Sequence, residues 1–235
     1  MNTLHDTGKS PERLNKFLAR QLGISRREAD VLIENETVMV NHALATLGTR
    51  ITPSDSIDVA GAPVPRKPAA LHYIAFNKPV GYVCSRRAQG NAPTIYSLLP
   101  PKLHTLKPVG RLDKDSSGLL LLTNDGDFAY RMTHPKFAKT KQYRVRLDRS
   151  LEPLHQQMIS DFGIELDDGR SQLILTRLDD NRHEWHITMS EGRNRQIRRT
   201  FAALGYTVTR LHRTNFGNYA LSDINRGEWR EVNIS

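Results

Sequence analysis

VGRLDKDSSGLLLLTNDGDF, residues 109–128, joins a charged turn directly to an apolar strand. The turn covers residues 110–118 and the strand covers residues 119–122. Four consecutive leucines bounded by glycine turns are too short to span a membrane, and they fit a strand that is buried on both faces. Because functional side chains tend to lie on loops held by a rigid scaffold, the charged residues of this turn are the first candidates for chemistry: Arg111, Asp113, Lys114 and Asp115.

A calcium loop is a second interpretation of the turn. Asp113, Asp115, Ser117 and Gly118 mimic the first half of an EF-hand loop. However, Asn124 stands where that loop has glutamate, Lys114 adds a positive charge inside it, and an apolar run replaces its second half. These mismatches argue against calcium, and a plain solvated turn is the third interpretation.

The composition indicates a globular protein with a polyanionic partner. Of the 235 residues, 25% are charged and 38% are hydrophobic, and Lys plus Arg exceed Asp plus Glu by 34 to 25, giving a formal net charge of +9. Such a balance favours nucleic acid or an anionic membrane surface. We find no basic amphipathic helix with exposed aromatic residues, so nucleic acid is the preferred partner and no membrane association is expected.

The compartment is predicted from the cysteine content and the N-terminal residues. Cys84 is the single cysteine, which excludes an intramolecular disulfide and a cysteine-based zinc site. The first twenty residues contain no apolar segment typical of a secretory signal. We therefore expect a cytoplasmic protein.

Two short helices with basic faces are predicted near the N-terminus. We expect residues 1–12 to form a polar tail, near the end of which Ser10 and Pro11 give a helix N-cap and a first-turn proline. Gly23 ends this helix, and SRRE, residues 25–28, is a capping box that opens the next one. Four basic side chains are candidate phosphate contacts, although a solvated surface has the same pattern: Arg13, Lys16, Arg26 and Arg27.

Residues 13–59 resemble the S4 RNA-binding domain through the pattern R-L-x-K-F-L-A…G-[IV]-S-R-R-E-A…L-I…V-x-V-N…P-x-D-x-I-x-V. The family usually has glycine at the positions of Glu36 and His42. Because glycine permits a positive φ at turns, we expect both turns to differ locally from those of the family. Without the family, the same pattern is compatible with a protein-interaction module, and the net charge favours RNA.

A linker and a second domain are predicted to follow. Residues 60–70, AGAPVPRKPAA, contain three prolines and no periodicity, which is typical of a semi-rigid linker. The second domain is placed at residues 71–235 and begins with an apolar strand over residues 71–77. The sequence N-K-P-x-G, residues 77–81, comes next, and taken alone it predicts only a proline turn.

Two later segments combine apolar periodicity with basic side chains. KQYRVRL, residues 141–147, alternates as a strand with Tyr143 on its buried face. SEGRNRQIRRTFAALGY, residues 190–206, has one apolar helix face and four arginines within seven residues, a pattern that is commonly a solvated surface. His183 and His186 are three residues apart on a predicted strand and lie on opposite faces, so no metal site is expected.

Together these segments resemble a known family. The pattern G-R-L-D-x-D-[ST]-[ST]-G-L-x-L-x-[ST]-[ND]-[DN]-G is similar to the signature of bacterial RNA pseudouridine synthases, in the group of ribosomal small-subunit synthase A and large-subunit synthases B, E and F. N-K-P-x-G and E-G-[RK]-x-[RH]-Q-[IV]-[RK]-R-M are further markers, the latter with Thr200 in place of methionine. The resemblance implies an α+β fold, in which a small S4 domain of α-L type precedes a catalytic domain with a mixed, mainly antiparallel sheet.

The resemblance also implies roles for individual residues. Asp113 occupies the position of the catalytic aspartate, Arg198 that of the arginine paired with it, and Tyr143 that of the tyrosine that stacks on the target base. Arg111 occupies the position that fills the space left by the extracted uridine. Further substrate contacts are expected from three basic residues: Lys78, Lys141 and Arg195. The reaction breaks the C1′–N1 bond of a uridine and rejoins the base through C5, so no metal or other cofactor is expected.

The expected protein is thus a monomeric enzyme that acts on ribosomal RNA or on a ribosomal subunit assembly intermediate. The S4-like domain, the short C-terminus and the S-E-G-R and L-H-R variants resemble the small-subunit enzyme more than its large-subunit relatives, so small-subunit RNA is the expected substrate. A non-catalytic ribosome-assembly protein on the same scaffold is the main alternative, and the joint presence of Asp113, Tyr143 and Arg198 argues against it. A glycoside hydrolase working with Asp113 and Asp115 needs one protonated carboxyl, which Lys114 disfavours.

Overall fold

The computed structural model describes residues 11–66, 70–87 and 89–234. Their contacts divide the chain into two compact units, with the boundary between Ala70 and Leu71. None of the helices described is long and apolar enough to cross a membrane. Most of the expected polar tail, including Ser10, lies outside the described residues.

The first unit consists of two helices and two small sheets. Its elements are β1 Glu12–Arg13, α1 Leu14–Leu22, α2 Arg26–Glu34, β2 Val38–Val40, β3 Ala43–Leu44, β4 Arg50–Ile51, β5 Ile57–Val59 and β6 Ala62–Pro63. Strand β1 pairs with β4, and the other four strands form an antiparallel sheet in the order β3-β2-β5-β6. The apolar faces of both helices contribute Phe17, Leu18 and Ile33 to the core of this unit.

The two helix starts have different outcomes. The capping box is confirmed, because the Ser25 hydroxyl accepts a hydrogen bond from the Glu28 amide and the Glu28 carboxylate accepts one from the Ser25 amide. The predicted helix start at Pro11 is wrong. Residues 12 and 13 instead pair with β4 as a strand, so α1 begins at Leu14.

Glu36 and His42 both adopt the left-handed backbone conformation, with φ of 57° and 66°. The turns therefore have the conformation that a glycine would adopt freely. A side chain in this conformation is sterically disfavoured. The first unit thus carries backbone strain at these turns, and Asn41 and Ala60 add to it with φ of 51° and 49°.

Part of the predicted linker belongs to the first unit. Strand β6 pairs with β5, and Val64 is buried in the core. The Arg66 guanidinium donates to the carbonyl oxygens of Thr52 and Asp55 at 2.7 and 2.9 Å, and it lies 4.8 Å from the ring centre of Phe17. Residues 62–66 are therefore folded, and the prediction of a linker is wrong for them.

The second unit is built on one large sheet. Its strands are β7 Tyr73–Lys78, β8 Lys107–Pro108, β9 Ser117–Thr123, β10 Lys141–Leu147, β11 Ile164–Leu166, β12 Gly169–Ser171, β13 Ile174–Arg177, β14 Glu184–Met189, β15 Val208–Phe216, β16 Tyr219–Ala220 and β17 Trp229–Glu231. Its helices are α3 Gly126–Thr133, α4 Pro153–Gln157 and α5 Gln196–Ala202, together with the 3₁₀ turns Ile95–Leu98, Pro101–Leu103 and Pro135–Phe137 and a π-helical turn Met158–Phe162.

The sheet is mixed and mainly antiparallel, as predicted. Its strand order is β13-β14-β10-β15-β9-β7-β17, with β8 added to β9 and β16 added to β15. Among the described strands of this sheet, β9 and β15 form the one parallel pair. Strands β11 and β12 form a separate hairpin.

The leucine strand lies between two cores, which confirms the prediction of a strand buried on both faces. Leu120 and Leu122 belong to a core that includes Trp185, whereas Leu119 and Leu121 belong to a second core that includes Phe128 of α3. None of the four leucines is more than 1% exposed. The charged turn before this strand is thereby attached to the most buried part of the unit.

Candidate active site

A cleft of about 540 Å³ lies beside the charged turn. Its volume is within the range of small-ligand sites. Five cationic side chains and two carboxylates line it, and this excess of positive charge suits an anionic ligand: Arg111, Lys141, Arg193, Arg195 and Arg213, with Asp113 and Glu191. Within the described ranges, no three His, Cys, Asp or Glu side chains are grouped as metal ligands.

Lys78 holds the charged turn from beneath. Its side chain is fully buried, and its Nζ donates to the carbonyl oxygens of Pro79, Asp113 and Ser116 at 3.0, 3.0 and 2.8 Å. Three carbonyls use all three N–H donors of an ammonium group. The expected substrate contact of Lys78 is therefore wrong, and this lysine positions the backbone of the turn instead.

The N-K-P-x-G segment and Cys84, three residues after it, support the turn in two further ways. The amide of Gly81, whose φ is 92°, donates to the carbonyl of Lys114 at 2.8 Å. The Cys84 thiol donates to the carbonyl of Leu112 at 3.3 Å and accepts from its amide at 3.5 Å. The segment is thus more than a proline turn, because it and Cys84 together fix the backbone on both sides of Asp113.

Gly118 allows the turn to enter the sheet. A Cβ atom at this position would lie 2.2 Å from the backbone oxygen of Arg213, on the parallel neighbour β15. Any larger residue would push these two strands apart. The glycine that ends the turn is therefore required by close backbone contact.

The Asp113 carboxylate lies next to Arg195. Arg195 Nη1 is 3.8 Å from Asp113 Oδ2 and 3.4 Å from Asp115 Oδ2, so one guanidinium contacts both carboxylates. The Asp113 side chain is 35% exposed, which leaves it accessible from the cleft. Arg195 itself precedes α5 and has a left-handed backbone with φ of 46°, rather than lying on the helix as its spacing suggested.

Arg198 occupies a different position from the one expected. Its Nη1 donates to the Val208 carbonyl at 2.6 Å, and its Nη2 donates to the Asp115 carbonyl at 2.9 Å. Burial and then the charge of Arg195 lower the pKa of Arg198, while Asp115 and Asp113 raise it. Arg198 thus connects β15 to the charged turn, and the ion pair expected between Arg198 and Asp113 is made by Arg195.

The two remaining arginines of this segment hold the β11–β12 hairpin. Arg193 donates to the carbonyls of Gly169 and Arg170 at 2.7 and 2.8 Å, and it pairs with Asp168. Arg199 pairs with Asp167 and Asp168. The four arginines are therefore not a solvated surface, since each has a defined protein partner.

Three further residues expected at the site line the same cleft. Tyr143 is 8% exposed, and the predicted strand over residues 141–147 with this face buried is confirmed. Arg111 is exposed at the cleft beside Asp113. Lys141 Nζ donates to the carbonyls of Ser190 and Glu191 at 3.4 and 3.1 Å. Burial and the charge of Arg213 lower its pKa.

The expected phosphate contacts of the first unit lie on or beside its two helices. Arg13, Arg26 and Arg27 are exposed and Lys16 is half-buried. Arg26 Nη2 donates to Asn15 Oδ1 at 3.1 Å, which joins the start of α2 to α1. Arg20, by contrast, pairs with Glu12 through two hydrogen bonds of 3.0 and 2.8 Å, so its charge is partly neutralised.

Ser116 and Arg213 are among the cleft-lining residues that were not identified from the sequence as site residues. Ser116 is 1% exposed and Arg213 is 2% exposed. The only available signal was the buried strand pattern around L-H-R, which places Arg213 on the same sheet face as Tyr143, its cross-strand neighbour. A charged residue in a buried strand position can be recognised as unusual only once the register is known.

A carboxylate on a rigid turn, a basic cleft and a separate unit with basic helices define a nucleic-acid-directed enzyme of the α+β class. The model of the RNA pseudouridylate synthase family matches residues 72–203, and that of the S4 domain matches residues 12–57. The chain therefore belongs to the RNA pseudouridylate synthase family and carries an N-terminal S4 domain.

Named relatives are similar over most of the chain. Ribosomal large subunit pseudouridine synthase B of Pseudomonas aeruginosa is 36% identical over 97% of the chain, which spans 63% of that relative's length. Ribosomal small subunit pseudouridine synthase A of Pasteurella multocida is 38% identical over 94% of the chain and 95% of the relative. A crystal structure of a pseudouridylate synthase is 33% identical, with a TM-score of 0.67, over 94% of this chain and 96% of that one.

Proposed function

We propose that this protein converts a specific uridine of ribosomal RNA to pseudouridine, with Asp113 as the reacting carboxylate. The observation that carries the proposal is the position of Asp113, which lies in a basic cleft on a turn fixed by Lys78 and beside Arg195. The relatives named for ribosomal RNA substrates support the class of RNA.

The target uridine must leave its stack to reach this carboxylate. Unstacking and unpairing a base costs roughly a few kcal/mol, and a side chain that fills the vacated space helps to offset this cost. Arg111 is suited to this role because it is exposed beside Asp113 at the cleft. Its guanidinium can also contact the flanking phosphates.

The reaction is an isomerisation, so substrate and product contain the same atoms and no co-reactant is consumed. The C1′–N1 bond breaks, the uracil turns, and C5 forms a new bond to C1′. The C5 proton is lost and N1 gains a proton, so no electrons are exchanged with a cofactor. Asp113 acts as a nucleophile on C1′ or C6, or as the base of an elimination, and Arg195 is its ion-pair partner.

Tyr143 is proposed to stack on the flipped uracil and to assist removal of the C5 proton. It lies on the buried side of β10 and lines the cleft together with Asp113. Replacing it with phenylalanine keeps the stacking surface and removes only the hydroxyl group. This variant should bind RNA normally and release the C5 proton more slowly.

The S4 domain is proposed to supply RNA affinity through Arg13, Lys16, Arg26 and Arg27. We propose the division into an RNA-binding unit over residues 13–59 and a catalytic unit over residues 71–235. We also propose that the protein is monomeric and cytoplasmic. Small-subunit RNA is the preferred substrate, supported by the S-E-G-R and L-H-R variants.

The direct test is to map pseudouridine on unmodified small- and large-subunit ribosomal RNA after incubation with the purified protein. Carbodiimide treatment followed by primer extension gives a stop at each pseudouridine. We expect one new stop in small-subunit RNA that is absent with Asp113→Asn and present with Asp115→Asn. A stop only in large-subunit RNA would contradict the preferred substrate. No stop in either RNA or in purified subunits, with binding intact, would contradict the enzymatic proposal.

A further inference from the structure

Arg213 is a buried cation whose hydrogen bonds are incomplete. It lies on β15 between Tyr143 on β10 and Gly118 on β9. Its Nε donates to the Leu119 carbonyl at 2.7 Å, whereas its buried Nη2 has no hydrogen-bond partner among the described residues. A buried guanidinium donor without an acceptor is destabilising, so an acceptor from a ligand would be favourable.

Ser116 adds a second incomplete group, which lines the same cleft as Arg213. Its Oγ is buried and without a hydrogen-bond partner within the described part of the chain. The Ser117 hydroxyl hydrogen-bonds to His212, so these two side chains share one face of the paired strands. Ser116 directly precedes β9, Arg213 lies on its parallel neighbour β15, and both residues line the cleft.

The charge beside these two residues determines the kind of ligand. The Lys141 ammonium and the Arg213 guanidinium lie 5.5 and 4.9 Å from the ring centre of the same residue, Phe216. The nearby Glu191 carboxylate is already bonded to Gln196 and Arg193. Two adjacent cations with incomplete compensation favour an anion over a neutral uracil carbonyl. A guanidinium and an ammonium are the groups that bind phosphate best.

We propose that Arg213, Ser116 and Lys141 form a phosphate subsite, which receives a phosphodiester next to the flipped uridine. This inference rests on the proposed function. Arg213 supplies a guanidinium donor, Ser116 supplies a hydroxyl, and Lys141 supplies charge. The subsite fixes the ribose relative to Asp113, so Arg213 acts as a binding and positioning residue for the target nucleotide.

The test compares uridine with uridine 5′-monophosphate and uridine 3′-monophosphate, using the full chain and NMR titration. It requires neither turnover nor knowledge of the target sequence. We expect one monophosphate to bind at least tenfold more tightly than uridine. Arg213→Gln should abolish this difference while leaving uridine affinity within about twofold. Arg146→Gln, which makes the same charge change on an exposed side chain of β10, should preserve the difference.

Ser116→Ala keeps the proposal testable if Arg213→Gln does not fold. It removes one hydroxyl and should weaken the monophosphate several-fold without changing uridine affinity. Equal affinities of wild type for uridine and both monophosphates would overturn the proposal. A full phosphate preference in Arg213→Gln, or in Ser116→Ala and Lys141→Gln, would also overturn it. Arg213→Gln could lose the phosphate preference while wild type forms no pseudouridine on any RNA. That result would reject the enzymatic proposal and support the phosphate subsite.

Discussion

Arg195 brings one guanidinium within 3.8 Å of Asp113 and 3.4 Å of Asp115, and it does so from a left-handed backbone conformation with φ of 46°. A residue other than glycine is strained in this conformation, and such strain is often retained at functional sites. The conformation places Arg195 before the first turn of α5, while Arg198 lies within that helix. The electrostatic partner of Asp113 is therefore expected to be Arg195.

Replacing Arg195 should affect catalysis without affecting stability. Arg195→Ala removes a half-exposed charge that faces Asp113, so we expect kcat to fall about 100-fold, a common effect of losing one electrostatic group. Arg198→Ala should lower both kcat and the melting temperature, because it also leaves the carbonyls of Val208 and Asp115 without a donor. Single-turnover kinetics and thermal unfolding of both variants, with Arg146→Ala as the control, distinguish the two roles. A larger rate loss for Arg198→Ala at unchanged stability would reverse the assignment.

The activity of the enzyme should fall at alkaline pH, because Lys78, which fixes the turn that carries Asp113, loses its proton. Burial lowers the pKa of Lys78 to about 8. Above that pH the group loses a proton and one of three N–H donors to the turn, so kcat should fall as pH rises through 8 while KM changes little. Lys78→Met should lack this step, and Lys114→Met, an exposed change in the same turn, should keep it. A wild-type kcat that stays constant up to about pH 9.5 would contradict this role.

The contribution of Lys78 to stability should change in the opposite direction. The unfolded chain retains the proton up to the ordinary lysine pKa of about 10.4, whereas the folded chain releases it above about 8. Between these values the unfolded state binds more protons, so this group's contribution to stability rises with pH. Deprotonation of Lys78 should therefore lower kcat without unfolding the protein. The test is the difference in free energy of unfolding between wild type and Lys78→Met, measured as a function of pH.

Releasing backbone strain should stabilise the S4 domain. Glu36→Gly and His42→Gly remove side chains from left-handed turns, and each should increase the free energy of unfolding by about 1 kcal/mol. Amide hydrogen exchange in β2 and β5 of the full chain measures this locally. Val31→Gly, within α2, is the matched control and should be destabilising. Slower exchange in Val31→Gly, or faster exchange in both turn variants, would contradict the proposed strain.

RNA binding by the S4 domain should depend on salt through Arg26 and Arg27. Both are exposed at the start of α2. Replacing both with alanine should reduce the slope of log K against log salt by about 1 for each lost phosphate contact. Arg20→Ala, whose charge is already paired with Glu12, should change the slope much less. An unchanged slope in the double variant would place the phosphate contacts elsewhere.

Local patterns in the sequence predicted the scaffold well. The four leucines indicated a strand buried on both faces because hydrophobic runs of that length have few other uses. Alternation in residues 141–147 predicted β10 with Tyr143 buried. The prediction of the first helix start was wrong because residues 12 and 13 form a strand with a distant segment. Glu12 pairs with Ile51, and Arg13 pairs with Arg50. The residues predicted to start the helix, 11–13, contain no local pattern that indicates pairing with β4.

The sequence predicted which residues belong to the site, but it did not predict which of them contact one another. The motif identified Asp113 and the basic residues around it. Whether Arg195 or Arg198 faces the carboxylate depends on one left-handed residue at the start of α5, which no periodicity indicates. Lys78 was predicted to contact substrate, because its three carbonyl partners come from two separate segments and are not evident from the sequence. Contacts between distant segments of this kind cannot be predicted from local sequence patterns.

The most direct measurement uses RNA labelled with tritium at uridine C5 and compares Asp113→Asn with Asp115→Asn. The two variants remove equal charge, two residues apart, and both carboxylates contact Arg195. Isomerisation releases the C5 label to water. We predict that Asp113→Asn lowers the single-turnover release rate at least about 1,000-fold, as for loss of a nucleophile, and that Asp115→Asn lowers it less than about tenfold. Release by Asp113→Asn at the wild-type rate would contradict the central role of Asp113.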